Sequence, residues 1–464
     1  MEESHPPHDA FHLTYIIFFL QGIGTLFPWN VFITAEAYYH KRFCGTMFES
    51  NFENFFGVCF NVACCSGLGI ATMYQHRIQQ RSRVIVPLWI TLLLFVLTSG
   101  LVWVDGLSPI MLFLVTVVCV FITGLASAIL QGGLFGLVSL LPTIYTQAIM
   151  VGQGLAGLAV SASSLVITAL SSEQPDNECA MDYGSIRLRS FLFFSIANLV
   201  TLLCIITYYV LERQPVVIYH VTMHQQLTAS STRSGVEKPA GESNGNRVSG
   251  SADNAAEGSE TTDLSRRLLV NGSEGVTSDP DQSPTAGCTR VWFVLRHLSS
   301  MAASVFTVFF ITLLLYPSVT SKIASVQAAS SGSRFFHDLF VPVGFCLFTG
   351  CDFIGRSVAG WKQVIPARFL WVWVVLRAGF VPLFLLCNVG GPHTLFDQSD
   401  AWPLVFIGLF GFSSGYLGSL AMMYGPQRVP VDVLETAGTL MVCCLQFGLA
   451  LGSVVSFAWL PITR

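Results

Sequence analysis

Residues 341–360 read "VPVGFCLFTGCDFIGRSVAG". The run is apolar and about as long as a helix needs to cross the hydrocarbon core, roughly 20 residues. It nevertheless carries Asp352 and Arg356. On translocon scales each such charge costs roughly 2.5–3.5 kcal/mol at mid-bilayer. Whether the run lies in lipid is decided by the rest of the chain. Hydrophobic residues make up 52% and charged residues 11%, against about 25% charged in ordinary globular domains. The chain also holds 37 Phe. This is the composition of an all-α polytopic membrane protein. A net charge of -4 provides no basic footprint for nucleic acid. Most of the thirteen Cys lie in apolar runs such as "VACCSG" and "MVCCLQ", where Cys acts as a small hydrophobe. No CxxC…CxxC or HExxH spacing occurs, so neither a structural zinc site nor a cofactor is expected. The acidic start "MEESHPPHDA" runs straight into a long apolar segment, unlike a cleavable signal peptide.

Eleven spans are expected, at about 12–36, 52–75, 84–104, 108–139, 147–170, 190–211, 296–317, 336–359, 366–387, 403–424 and 435–460. The fourth is too long for a straight perpendicular crossing, so tilt or a kink near its glycines is expected. Loop charge sets the orientation. "QHRIQQRSRV" carries Arg77, Arg81 and Arg83, "GWKQVIPARF" carries Lys362 and Arg368, and "YGPQRVPVDV" carries Arg428. By the positive-inside rule these loops are cytoplasmic. "SSEQPDNECAMDYG" and "NVGGPHTLFDQSDAW" are acidic and fall on the opposite side. The N-terminus is then inside and the C-terminus outside, although Lys41 and Arg42 run against this pattern. The expected organisation is a cytoplasmic N-terminus at 1–11, a six-helix block at 12–212, a linker at 213–292 and a five-helix block at 293–464. The linker is rich in Ser, Gly, Asn and Glu and cannot bury enough apolar surface to fold, so disorder is expected. Its sequon at Asn271 would never meet the lumen. Two blocks joined by a long cytoplasmic loop is the layout of a carrier whose site lies near the bilayer midplane between them.

Few polar residues interrupt the spans. In "QGIGTLFPWNVF", Pro28 can kink the first helix, and Gly22 and Gly24 permit close helix approach. Trp29 and Asn30 follow the proline. They fit either an interfacial ring with an interhelical amide, or two groups facing a cavity, one a stacking face and the other a donor and acceptor. In "ASAILQGGLFGLVSLLP", Gln131 is an amide at mid-span and needs partners. A ligand role is favoured for it, and a packing role for Gly132 and Gly136 and for Gly152 and Gly157 of "GQGLAG". Asp352 and Arg356 stand one helical turn apart on one face. They are either a clamp between helices or the wall of a cavity that binds a polyhydroxylated substrate. Glu435 is read as capping the start of the last helix, with a role in gating as the alternative. Cys44 and Cys179 fall in outer loops. Sequence cannot set the Cα separation of under about 7 Å that a disulfide requires, and they are expected to stay unpaired within the chain.

Taken in order, "GIGTLFPWNVFITA", "ILQGGLFGLVSLLP", "GQGLAG", "DFIGRS", "RAGFVPLFLLCN", "GYLGSL", "ETAGTLM" and "GLALG" closely resemble the equilibrative nucleoside transporter family across nearly the whole chain outside the linker. The resemblance implies eleven helices in a 6+5 arrangement like the major facilitator fold. It implies movement of nucleosides, and in some members nucleobases, down their gradients in the plasma membrane. It also implies that Leu26 and Trp29 pack around the nucleoside, beside Asn30, that Gln131 contacts the base, and that Asp352 and Arg356 contact the ribose. A monomer is expected. The chain departs from the family in the second helix, "ENFFGVCFNVACCSGLG", where Asn61 stands in place of an apolar residue, and Ser127 occupies a small-residue position near the site. Two other readings compete. A proton-coupled or organic-cation carrier would want a buried carboxylate without a cationic neighbour, whereas Arg356 should keep Asp352 ionised. A membrane enzyme would want a nucleophile–base pair or paired metal ligands inside spans, and none is evident.

Overall fold

The computed structural model describes residues 7–49, 52–75, 77–170, 183–236, 287–323, 325–327, 335–387, 396 and 399–459. Among them the regular structure is helical. We label α1 (Leu13–Thr34), α2 (Glu36–Phe43), α3 (Phe52–Tyr74), α4 (Gln80–Leu101), α5 (Pro109–Val138), α6 (Thr143–Leu170), α7 (Tyr183–Leu211) and α8 (Pro215–Val236). After these come α9 (Gly287–Leu315), α10 (Phe340–Trp361), α11 (Leu370–Leu376), α12 (Phe380–Leu385), α13 (Ala401–Tyr424) and α14 (Leu434–Trp459). Ten helices among the described residues are long and apolar enough to cross a membrane. In the region read as the ninth span, the helix is shorter, Leu370–Leu385, and tightens to a 3-10 turn at Arg377–Gly379.

Local chemistry sets several helix ends. Asp9 accepts from the backbone N–H groups of Thr14 and Tyr15 at 3.0 and 3.2 Å, satisfying donors that the first turn of α1 leaves open. Ser108 accepts from Met111 N–H and Pro109 occupies the first turn of α5, a standard start signal. α1 continues through Pro28 without losing helical assignment. α5 runs unbroken for 30 residues, about 45 Å at 1.5 Å per residue. Leu93, Val96, Leu199, Ile206, Trp371 and Leu376 project outward and exposed, as lipid-facing side chains would.

The helices form two groups. In the first, α1 packs on α6 and α7, α5 on α3 and α4, and α4 on α7; in the second, α9 packs on α14 and α13, and α10 on α13. Glycines permit the closest crossings. A Cβ on Gly22 would meet the Ile149 backbone, and one on Gly152 would meet the Phe19 carbonyl, so α1 and α6 cross backbone to backbone. Gly24 faces the Cys204 thiol. Gly132 and Gly136 face Thr439 and Glu435 of α14, so they serve the contact between groups. Gly157 is looser, with only the Thr349 methyl at 4.0 Å.

Two readings need correction. The start of the segment read as disordered linker is helical. Its apolar positions Val216 and Val217 are buried, and His224 Nε2 lies 2.8 Å from the Val431 carbonyl, so α8 docks on the loop before α14. Residues 237–286, including Asn271, lie outside the described set. Cys44 was expected to be unpaired, but it is disulfide-bonded. Its loop is held by local bonds, Gly45 N–H to Glu49 and the Thr46 hydroxyl to the Phe43 carbonyl, both at 2.7 Å. Cys179 also lies outside the described residues.

Candidate substrate site

The residues singled out in sequence as substrate contacts lie on α1 and α5 of the first group and on α10 of the second. On α1, Leu26 and Trp29 are half-buried, and the Trp29 ring stacks on Phe60 of α3 at 4.5 Å and 24°. Trp29 is thus an inward ring. Asn30 offers an amide nitrogen that is buried without a hydrogen-bond partner, so it does not join helices. Gln131 on α5 is 4% exposed and makes no side-chain hydrogen bond among the described residues. One turn earlier, the buried Ser127 hydroxyl also has no partner. Buried amides and hydroxyls are ordinarily paired. Asn30 and Ser127 are two of several residues with a buried polar atom that has no partner among the described residues.

Asp352 and Arg356 lie on α10, each 7% exposed. Arg356 Nε donates to Asp352 Oδ2 at 2.6 Å, and its Nη1 donates to the Met150 carbonyl of α6 at 3.2 Å. Arg356 therefore does clamp the two groups. The Asp352 backbone packs against Gly415 of α13, while its carboxylate bonds only Arg356 among the described residues, and its Oδ1 accepts from none of them. The pair is a fixed acceptor presented on a face that Arg356 both neutralises and positions.

Sequence reasoning passed over Arg377, which belongs to the same class as Asp352. It is 2% exposed and sits in the 3-10 turn between α11 and α12. Its guanidinium donates to the Phe410 carbonyl, the Ser413 hydroxyl and the Thr312 hydroxyl, and lies 4.5 Å from the Phe410 ring centroid. Dispersed dipoles and a ring face hold this cation, with no carboxylate within ion-pair distance among the described residues. A single charge inside an apolar run was the available signal.

Two seams join the groups. Along α14, Glu435 pairs with Arg83 of α4, and Thr436 accepts from Gln75 at 3.0 Å. Further along the same helix, Thr439 donates to the Gly132 carbonyl at 3.2 Å, Cys443 meets Thr72 at 3.2 Å, and Gln446 reaches Asn61 at 3.5 Å. Along α10, Gln147 donates to the Arg356 and Ser357 carbonyls, and Ser161 meets Thr349 at 2.6 Å. Glu435 was read as a helix cap and Arg83 as a loop charge. In fact Arg83 is buried inside α4, and Glu435 is its partner. The α14 seam starts at the end of the bundle that carries the basic loops.

Two other features lie apart from this site. His40, Cys44 and Glu49 cluster, but the disulfide takes the Cys44 sulfur that a metal would need. A cleft of about 400 Å³ between α6 and α7, lined by Ala162, Val166 and Phe193, contains none of the site residues.

The chain is 32% identical over 496 residues to equilibrative nucleoside transporter 1 of Homo sapiens, covering all of both chains. It is 32% identical over 482 residues to equilibrative nucleoside transporter 2 of Rattus norvegicus, covering 98% of this chain and 99% of that one. Among solved structures, it resembles the major facilitator proton:xylose symporter XylE with a TM-score of 0.57 at 12% identity, covering 97% of this chain and 89% of that one. The E. coli fucose:proton symporter FucP gives 0.53 at 12%, with 98% of each chain covered. These two likenesses establish the fold. The family model described as nucleoside transporter matches residues 115–460, and with those full-length relatives it places this chain in the nucleoside transporter family.

Proposed function

We propose that the chain is an equilibrative carrier that moves nucleosides down their gradient by rocking its two helix groups about a central site. The observation that carries this reading is the Asp352–Arg356 pair, buried between the groups and tied across them to Met150. In this reading α1 and α3–α7 form a six-span block. The second block has five spans, with the broken Leu370–Leu385 helix as its short ninth member. The basic end is cytoplasmic, so the zipped α14 seam closes the inner side and the site opens outward. The location is the plasma membrane, and a single chain supplies the whole site. Trp29 and Leu26 flank the base, Gln131 meets its edge with Asn30 nearby, and Asp352 accepts from ribose hydroxyls. Proton coupling is not favoured, because the relatives that match over the full chain are named equilibrative nucleoside transporters.

Uridine flux into proteoliposomes, with and without sodium or proton gradients, tests the proposal. Internal uridine should rise to the external concentration and stop there in every condition. Accumulation several-fold above that level under an imposed gradient would overturn it.

A further inference from the structure

Tyr316 ends α9 at the side opposite the Arg83–Glu435 pair. Its N–H bonds the Thr312 carbonyl at 2.8 Å, which fixes the residue to the last turn of that helix. The ring stacks on Phe348 with centroids 4.0 Å and planes 17° apart, and meets Phe345 edge-on at 5.2 Å. Phe345, Phe348 and Asp352 are spaced i, i+3 and i+7, and so share one face of α10. The phenol therefore lies about one turn from Asp352 on the same face, within range of its charge. Its hydroxyl makes no hydrogen bond to a described residue. A phenylalanine would complete the ring cluster equally well, so packing alone does not call for the oxygen. Beside it, Asp352 has one oxygen bonded to Arg356 and one without a described partner. An ionised carboxylate can only accept, whereas a phenol both donates and accepts.

We propose that the Tyr316 hydroxyl is a further substrate contact, acting with Asp352 on a vicinal diol. Asp352 accepts from one hydroxyl, and Tyr316 donates to the oxygen of its neighbour. The phenol is neutral, so it adds recognition without adding charge to a face that already balances Asp352 against Arg356. This inference rests on the reading of Asp352 as a ribose contact.

The test compares uridine with 2′,3′-dideoxyuridine in wild-type protein, Tyr316→Phe and Asp352→Asn, with transport normalised to surface amount. Tyr316→Phe keeps both ring contacts. It should raise the KM for uridine roughly ten-fold, as loss of one hydrogen bond in a charged site would, and leave Vmax unchanged. The KM for the dideoxy analogue, which lacks the diol, should not move. If Asp352→Asn discriminates between the two ligands while Tyr316→Phe leaves the uridine KM unchanged, or raises both KM values equally, this inference is wrong and the ribose reading survives. If Asp352→Asn fails to discriminate, the ribose reading falls and takes the inference with it.

Discussion

Replacing Glu435 by Gln keeps the side-chain size and removes the partner of Arg83. The Arg83 side chain is 4% exposed, and its Nε is already without a partner, so little water reaches the cation. Breaking a fully buried pair costs about 3–5 kcal/mol, whereas an exposed pair is worth about 0–1 kcal/mol. The Glu435 side chain is 28% exposed, which places this pair between the limits, at about 2 kcal/mol. The pair joins the groups only while the α14 seam is zipped; in the opened state both charges would meet water. The substitution should therefore shift the equilibrium toward the opened seam by roughly thirty-fold. Spin labels on the exposed residues Gln79 and Gln427 report the separation across this end of the bundle. Glu435→Gln should move the distance distribution of purified protein in nanodiscs toward longer values. The exchanged pair Arg83→Glu with Glu435→Arg should restore part of the short component. An unchanged distribution in Glu435→Gln would show that the pair does not hold the seam, and the energetic argument would fail.

Asp352→Asn should weaken ribonucleosides about ten- to hundred-fold in KM, as expected for lost hydrogen bonds to a charged group, and affect nucleobases far less; equal losses in competition assays would make Asp352 a purely structural residue. Deleting residues 237–286 should leave substrate affinity unchanged, whereas a deletion that also removes α8 should disturb the docked loop before Glu435; identical uptake kinetics in the two deletions would argue against any bracing by α8. An impermeant maleimide should label Cys44 on intact cells only after reduction; labelling beforehand would exclude the disulfide, and none even after reduction would exclude its exposure. Burial lowers the pKa of His220 on α8, so the docked helix binds fewer protons than an undocked one in the window below the ordinary histidine value. Its stabilising contribution is complete above that value, near pH 6.5, and declines as pH falls through the window; hydrogen exchange of α8 should accelerate on acidification, and a pH-independent rate would contradict this.

The sequence by itself determined what depends on local composition and on helical period. Apolar length marked the spans, because an unsatisfied backbone in lipid leaves a long segment little choice but helix. The four-residue spacing placed Asp352 and Arg356 on one face, and their bond at 2.6 Å follows from that spacing. Gln131 declared itself as an amide with no reason to be in oil. What the sequence missed required knowing which helices touch. Arg83 and Glu435 are 352 positions apart, and each alone looks like ordinary furniture of a loop or a helix start. Arg377 passes as an unpaired charge until Thr312, Phe410 and Ser413 are brought to it from two other helices. Tyr316 is one aromatic among many until its ring lies on Phe348, one turn from Asp352. Cys44 gave no local sign of its disulfide, since bond geometry depends on loop positions in space. Solvent decides where a segment lies and period decides which way its residues face; the partner across the interface exists only once the helices have crossed.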